Sequence, residues 1–148
     1  VDVLGREVHR AKRYESKLSL CLMRMDFDAA NQKLDHDDKD RMFKLLAGIL
    51  SEGVRRSDTL GRVDTDMFGL IIPHASASEA QQISDRLWGS LGAETRQDAE
   101  YKVRVAFGLV EFQAEAEETE TDFLDRAARE LLEAVEADGH LTFTVPDK

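Results

Sequence analysis

The chain has 148 residues, with 30 acidic side chains against 20 Lys and Arg, and so a formal net charge of −10. That length fits one domain with a substantial core, and 42% hydrophobic with 34% charged residues describes a soluble globular protein, not a disordered or bilayer-spanning one. A single cysteine, Cys21, excludes a disulfide framework and a Cys-rich zinc site and points to a reducing, cytoplasmic setting; the acidity argues against nucleic-acid polymers, which need a basic surface, but not against a small anionic ligand held by a few arginines.

The chain begins at Val1, without an initiator Met or signal-like segment, and is expected to be a piece of a longer signalling protein. Val1, Leu4, Val8 and Ala11 recur at helical spacing over residues 1–15. This leading helix either packs on its own domain or relays from an upstream module. Leu18 to Met25 is an apolar run of strand length, expected as a buried central strand. A polar segment, Asp26 to Asp40, leads into a helix over Arg41 to Val54, with Met42, Leu45, Leu46, Ile49 and Leu50 at helical spacing and Gly53 near its end. Thr59–Val63 and Met67–Ile72 form a hairpin closed by Pro73. Ser78 caps a helix to about Leu91, with Ala80, Ile83 and Leu87 inward. Tyr101 to Phe112 is a strand in which Val103, Val105 and Phe107 alternate. Glu115 to Glu120 reads as a solvated acidic loop. Thr121 to Ala137 is a helix with Leu124, Ala128, Leu131 and Ala134 inside, ended by Gly139, and Leu141 to Val145 is a last strand. The order implies a single α/β domain over residues 1–148, a mixed central sheet flanked by helices.

Several of these segments together resemble the GGDEF domain, the fold of bacterial diguanylate cyclases, from about Leu4 to His140. That family's hairpin carries Gly-Gly-Asp/Glu-Glu-Phe; here Asp64-Thr65-Asp66-Met67-Phe68 follows Arg62-Val63. Its first strand leads into Asp-x-Asp-x-Phe-Lys-x-x-Asn, then His and Asp. Here Met23-Arg24-Met25-Asp26-Phe27-Asp28-Ala29-Ala30-Asn31 is followed by His36 and Asp40. Val103-Arg104-Val105-Ala106-Phe107-Gly108 matches the later Val-x-Val-Ser-Ile-Gly strand. The family's usual opening, Leu-Thr-Gly-Leu-x-Asn-Arg, is absent.

The resemblance implies metal-assisted joining of two GTP molecules, which needs hard oxygen ligands for Mg²⁺ and cations at the phosphates. The residues present depart from that. Met23 stands where the family has a metal-binding Asp, and a thioether does not replace a carboxylate on Mg²⁺. Asp66 keeps the second ligand position alone, and Met67 replaces the acidic fourth signature residue. Asp28 replaces a phosphate-facing Lys, and the position of a second such Lys is about Val135. Asp64 and Thr65 replace glycines that let backbone approach a phosphate. The sequence therefore predicts a domain without cyclase activity, catalytic residues, metal or cofactor. Asn31 and Asp40 match guanine-contacting positions; they could still read a purine edge or serve only as turn and cap residues.

Arg55-Arg56-Ser57-Asp58 is an Arg-x-x-Asp sequence, which at this distance from the signature forms the family's inhibitory site for cyclic di-GMP. Arg86 matches a second arginine of that site. A guanidinium can pair with the O6/N7 edge of guanine while a carboxylate accepts from N1 and N2. Arg55, Asp58 and Arg86 are thus the candidate ligand residues, against a plain surface ion pair or a motif inherited without use. The expected partners are cyclic di-GMP, an upstream or downstream signalling domain and a second copy of the chain; a ligand-free scaffold or a residual GTP-binding regulatory domain are the alternatives. His9, His36, His74 and His140 show no metal-ligand spacing. Cys21 reads as a buried filler, Trp88 as core or partner-facing, and Arg62 as support for the hairpin.

Overall fold

In the computed structural model, which describes residues 2–26, 36–64, 66–94, 101–136 and 141–145, the strand β1 (Leu18–Asp26) lies at the centre of a five-stranded sheet. Readings placed on Phe27, Asp28, Asn31, Thr65, Gly139 and His140, and on the side chains of His36, Trp88 and Val103, fall outside the described residues. The remaining elements are α1 (Asp2–Tyr14), α2 (His36–Gly53), β2 (Thr59–Asp64), β3 (Met67–Pro73), α3 (Ala77–Glu94), β4 (Tyr101–Glu111), a single 3₁₀ turn (Ala114–Ala116), α4 (Glu120–Glu136) and β5 (Leu141–Val145).

The sheet runs in the order β2-β3-β1-β4-β5, and every neighbouring pair is antiparallel. The expected helix-flanked α/β sheet is present, but its pairing is corrected from mixed to antiparallel. The crossover through α2 does join two parallel strands, β1 and β2. The hairpin, however, folds back so that its second strand, β3, docks on β1 and separates them. The crossover through α3 likewise joins β3 to β4 with β1 between.

Strand alternation sends β1 side chains to two cores. Cys21, Met23 and Met25 face α2 and α3, packing with Met42, Phe43, Leu46, Leu50, Phe68, Leu70 and Leu87. Leu18, Leu20 and Leu22 face the other side, with Leu4, Val8 and Ala11 of α1 and Phe123, Ala127 and Leu131 of α4. The apolar stripe of α1 is therefore spent on its own domain. Cys21 is fully buried, and that burial pushes its thiol up to about 12.

Three local expectations are corrected. Ser76, not Ser78, caps α3: its Oγ accepts from the Glu79 backbone N–H while Glu79 Oε1 accepts from the Ser76 N–H, a reciprocal capping box. In α4 the inner face is Phe123, Ala127 and Leu131, with Phe123 edge-on against Phe112, while Leu124 is 40% exposed; the Thr119–Asp122 capping pair starts the helix. The acidic loop is not wholly solvated, because Glu118 is buried and takes two bonds from Arg126, which also donates to the Glu111 carbonyl. Gly108 lets α4 approach β4, since a Cβ there would stand 2.7 Å from the Ala127 carbonyl oxygen.

Candidate functional site

The signature hairpin closes with Asp64 opposite Met67, after a register shift between Arg62 and Asp64. Met23 pairs with Phe68 in the sheet, so the residue at the metal-binding position faces the same core as the last signature residue. Met23 and Met25 are each 1% exposed and Phe68 2%. The Phe68 ring stacks on Phe43 with centroids 4.0 Å apart at 22°. At the two strand positions where the family motif has Asp, the chain has thioethers packed against two phenyl rings, each burial worth roughly 1.5–3 kcal/mol. Asp66 does not offset this. Its carbonyl accepts from the Met25 N–H at 2.7 Å, and its carboxylate lies 3.4 Å from Arg24 Nε, a residue that alternates to the other sheet face from Met23 and Met25. Among the described residues, this set offers one carboxylate, already facing Arg24, and does not fit a Mg²⁺ site. Val135 is half-buried against the α1–α4 core.

Asp40, one of the two candidate guanine-reading residues, is committed to its own chain. Arg62 Nη1 donates to its Oδ1 at 2.9 Å, and Lys44 Nζ stands 3.1 Å from Oδ2. Its carboxyl is held below the ordinary aspartate range by the Arg62 bond and then the Lys44 bond. The Arg62 guanidinium carbon sits 4.1 Å from the Phe43 ring centroid. Arg62 thus ties the hairpin to α2.

The Arg-x-x-Asp sequence forms the turn between α2 and β2, closed by the Asp58 N–H donating to the Arg55 carbonyl at 3.0 Å. Asp58 Oδ2 accepts from the Arg55 backbone N–H at 3.0 Å. Arg55 Nε lies 3.1 and 3.2 Å from the two carboxylate oxygens, and Nη2 donates to Oδ1 and to the Pro73 carbonyl, both at 2.9 Å. The Asp58 side chain has 0% exposure and that of Arg55 38%. The Asp58 bond raises the Arg55 pKa. Among the described residues Nη1 makes no hydrogen bond, and the side chain is 38% exposed, so that edge of the guanidinium is open. This alters the expected division of labour: the Asp58 carboxylate faces Arg55 and not solvent, so it orients the arginine instead of meeting a base. Glu79 is close enough to contribute to the Arg55 field. Arg86 is exposed on α3, about 10 Å further along the helix than Glu79. The structure therefore joins Arg55 and Asp58 directly, and among the described residues no hydrogen bond or ion pair joins Arg86 to either. Arg56 is exposed within the turn.

The sequence matches the family model described as "Diguanylate cyclase, GGDEF domain" over residues 2–140. This chain belongs to the GGDEF family. The probable diguanylate cyclase DgcT of Escherichia coli is 27% identical over 107 residues, which cover 68% of this chain and 24% of that protein. The chain thus spans about a quarter of that curated relative. The diguanylate cyclase SiaD of Pseudomonas aeruginosa, solved in complex with its activator SiaC, superposes with a TM-score of 0.82 at 25% identity over 94% of this chain and 54% of that one. The GGDEF domain of DgcB from Caulobacter crescentus, solved in complex with c-di-GMP, gives a TM-score of 0.79 at 18% identity over 92% of this chain and 82% of that one, a likeness of fold. Among the described residues of this GGDEF domain, no helix is long and apolar enough to cross a membrane.

Sequence reasoning missed the bonds that spend the polar residues: Arg62 to Asp40, Arg24 to Asp66 and Arg126 to Glu118. The first two join residues more than 20 positions apart, and no local pattern signals them. Phe43 was also missed as core; it follows Met42 directly and both are buried.

Proposed function

We propose that this GGDEF domain is catalytically inactive and acts as a cyclic di-GMP receptor, regulating an attached or partner output. Arg55 and Arg86 contact the ligand, and Asp58 holds Arg55 in place. The observation that carries this reading is the Arg55 guanidinium, fixed on one edge by a buried carboxylate and a carbonyl while its other edge stays open. A pre-oriented guanidinium loses less freedom on binding, and it can pair with guanine or phosphate. Loss of catalysis is supported by Met23 and Met25 buried in the core and by Asp66 paired with Arg24. That DgcB binds c-di-GMP on a similar fold adds to the reading.

The test is calorimetric titration with cyclic di-GMP, which should give saturable heat by ~100 μM ligand, the range of a micromolar complex. Asp66→Ala should leave that heat intact, and protein incubated with GTP and Mg²⁺ should yield no cyclic di-GMP. Absence of saturable heat from folded protein would support a second reading, a ligand-free scaffold or dimerisation module. One observation favours that alternative: Arg55 also bonds Pro73, so the pair has a structural use of its own. A residual GTP-binding regulatory role would need Asp40, whose carboxylate is already held by Arg62 and Lys44.

A further inference from the structure

On the face of the sheet away from α2, α4 carries a second apolar row besides the one it buries. Leu124, Ala128 and Leu132 follow one another at four-residue spacing and so form one inclined ridge on the helix. Leu124 is 40% exposed and Leu132 55%, and Ala128 between them is exposed as well. Single exposed leucines are ordinary, but two aligned about a small residue make a ridge on which another helix can pack. A groove of about 580 Å³ runs beside it, bordered by Asp125, Ala128, Arg129 and Leu132. The charges on that border are open. Asp125 and Arg129 stand four residues apart with the acid first, the order that favours a pair within one helix. Among the described residues, however, neither makes a hydrogen bond or an ion pair.

We propose that the outer face of α4 is a self-association surface, and that its occupant is α4 of a second copy of this chain, antiparallel about a two-fold axis at Ala128. The ridge is symmetric about that residue, as an isologous contact requires. With Ala128 set against the partner's Ala128, Leu124 meets the partner's Leu132 and Leu132 meets the partner's Leu124. The same rotation brings Arg129 to the partner's Asp125 and Asp125 to the partner's Arg129. Each charge left open in one chain thus finds its opposite in the other. The small side chain at the crossing lets the two backbones approach. A contact confined to about three turns of each helix falls below the roughly 1,200 Å² of stable specific interfaces, so the dimer is weak, with a dissociation constant on the order of 100 μM. This surface is separate from the Arg55 turn and does not rest on cyclic di-GMP binding there.

The test is sedimentation equilibrium of the chain, without nucleotide, from ~10 μM to ~1 mM. The weight-average mass should rise from 16.7 kDa toward twice that value. Leu132→Glu sets a charge against the partner's Leu124 and should weaken association about tenfold or more. Asp125→Arg and Arg129→Asp each place like charges across the axis twice and should weaken it about fivefold. An equimolar mixture of those two variants should recover association, because every pair across the axis is again of opposite sign. All three positions are exposed, so the fold is expected to persist; should Leu132→Glu melt below the working temperature, Leu124→Lys takes its place with the same expectation. A wild-type chain that stays monomeric at the highest concentration would overturn the proposal and leave the ridge to a different partner. So would association undiminished in Leu132→Glu, or a mixture of the two charge variants no more associated than either alone.

Discussion

The region around Met23 and the turn at Arg55 treat charge in opposite ways. In the first, Met23 and Met25 are buried with Phe43 and Phe68 in an apolar core. Two acidic groups nearby are bound to basic ones, Asp66 to Arg24 and Asp40 to Arg62 and Lys44. In the second, a carboxylate is fully buried, yet its partner's guanidinium still reaches solvent. A polar site can thus close by substitution or by self-pairing. Of these two regions, the Arg55 turn retains both a buried polar anchor and an accessible donor edge.

The contrast can be broken first at Met23. Met23→Asp places a carboxylate in a core position of 1% exposure with no cation paired to it, and should cost about 3 kcal/mol or more in urea unfolding. Full stability of that variant, or its rescue by Mg²⁺, would mean the apolar filling is no barrier to a metal site. At the turn, Arg55→Ala removes the cation from a buried carboxylate and should cost about 2 kcal/mol by the same measurement. A loss indistinguishable from zero would reduce the pair to a surface contact.

A third variant concerns acid. Glu118 has its carboxyl held below the ordinary glutamate range, first by the Arg126 bond. The unfolded chain then binds the proton more readily than the folded one, so the contribution is present at neutral pH and is lost as pH falls through the folded value. Glu118→Gln should therefore flatten the fall in stability below about pH 4.3, the ordinary glutamate value; an unchanged acid limb would remove Glu118 as a source. The smallest effect belongs to the exposed pair, whose side chains are 45% and 42% exposed. Arg24→Ala should change stability by less than about 1 kcal/mol, and a larger loss would show that Asp66 is anchored more firmly than its exposure implies.

Much of the architecture was legible because periodicity reports burial directly. The apolar run at Leu18–Met25 is the central strand, and Leu4, Val8 and Ala11 mark the inner stripe of α1. The strand pairing was less legible, since which hairpin strand docks on β1 is decided by tertiary packing. The phase of α4 was missed because Leu124 and Phe123 both satisfy a helical stripe, and tertiary packing, Phe123 on Phe112 and Ala127 over Gly108, selects between them. At the candidate site, Arg55 and Asp58 were found by spacing, but their mutual orientation was not, because it depends on the Pro73 carbonyl 18 positions away.

Nuclear magnetic resonance during a cyclic di-GMP titration, following methionine methyl and arginine Nε signals together, compares the two regions in a single experiment. The account predicts saturable shifts at Arg55 and Arg86, with Met23, Met25 and Arg62 unmoved. Shifts centred on Met23, Met25 and Arg62, with Arg55 silent, would contradict it.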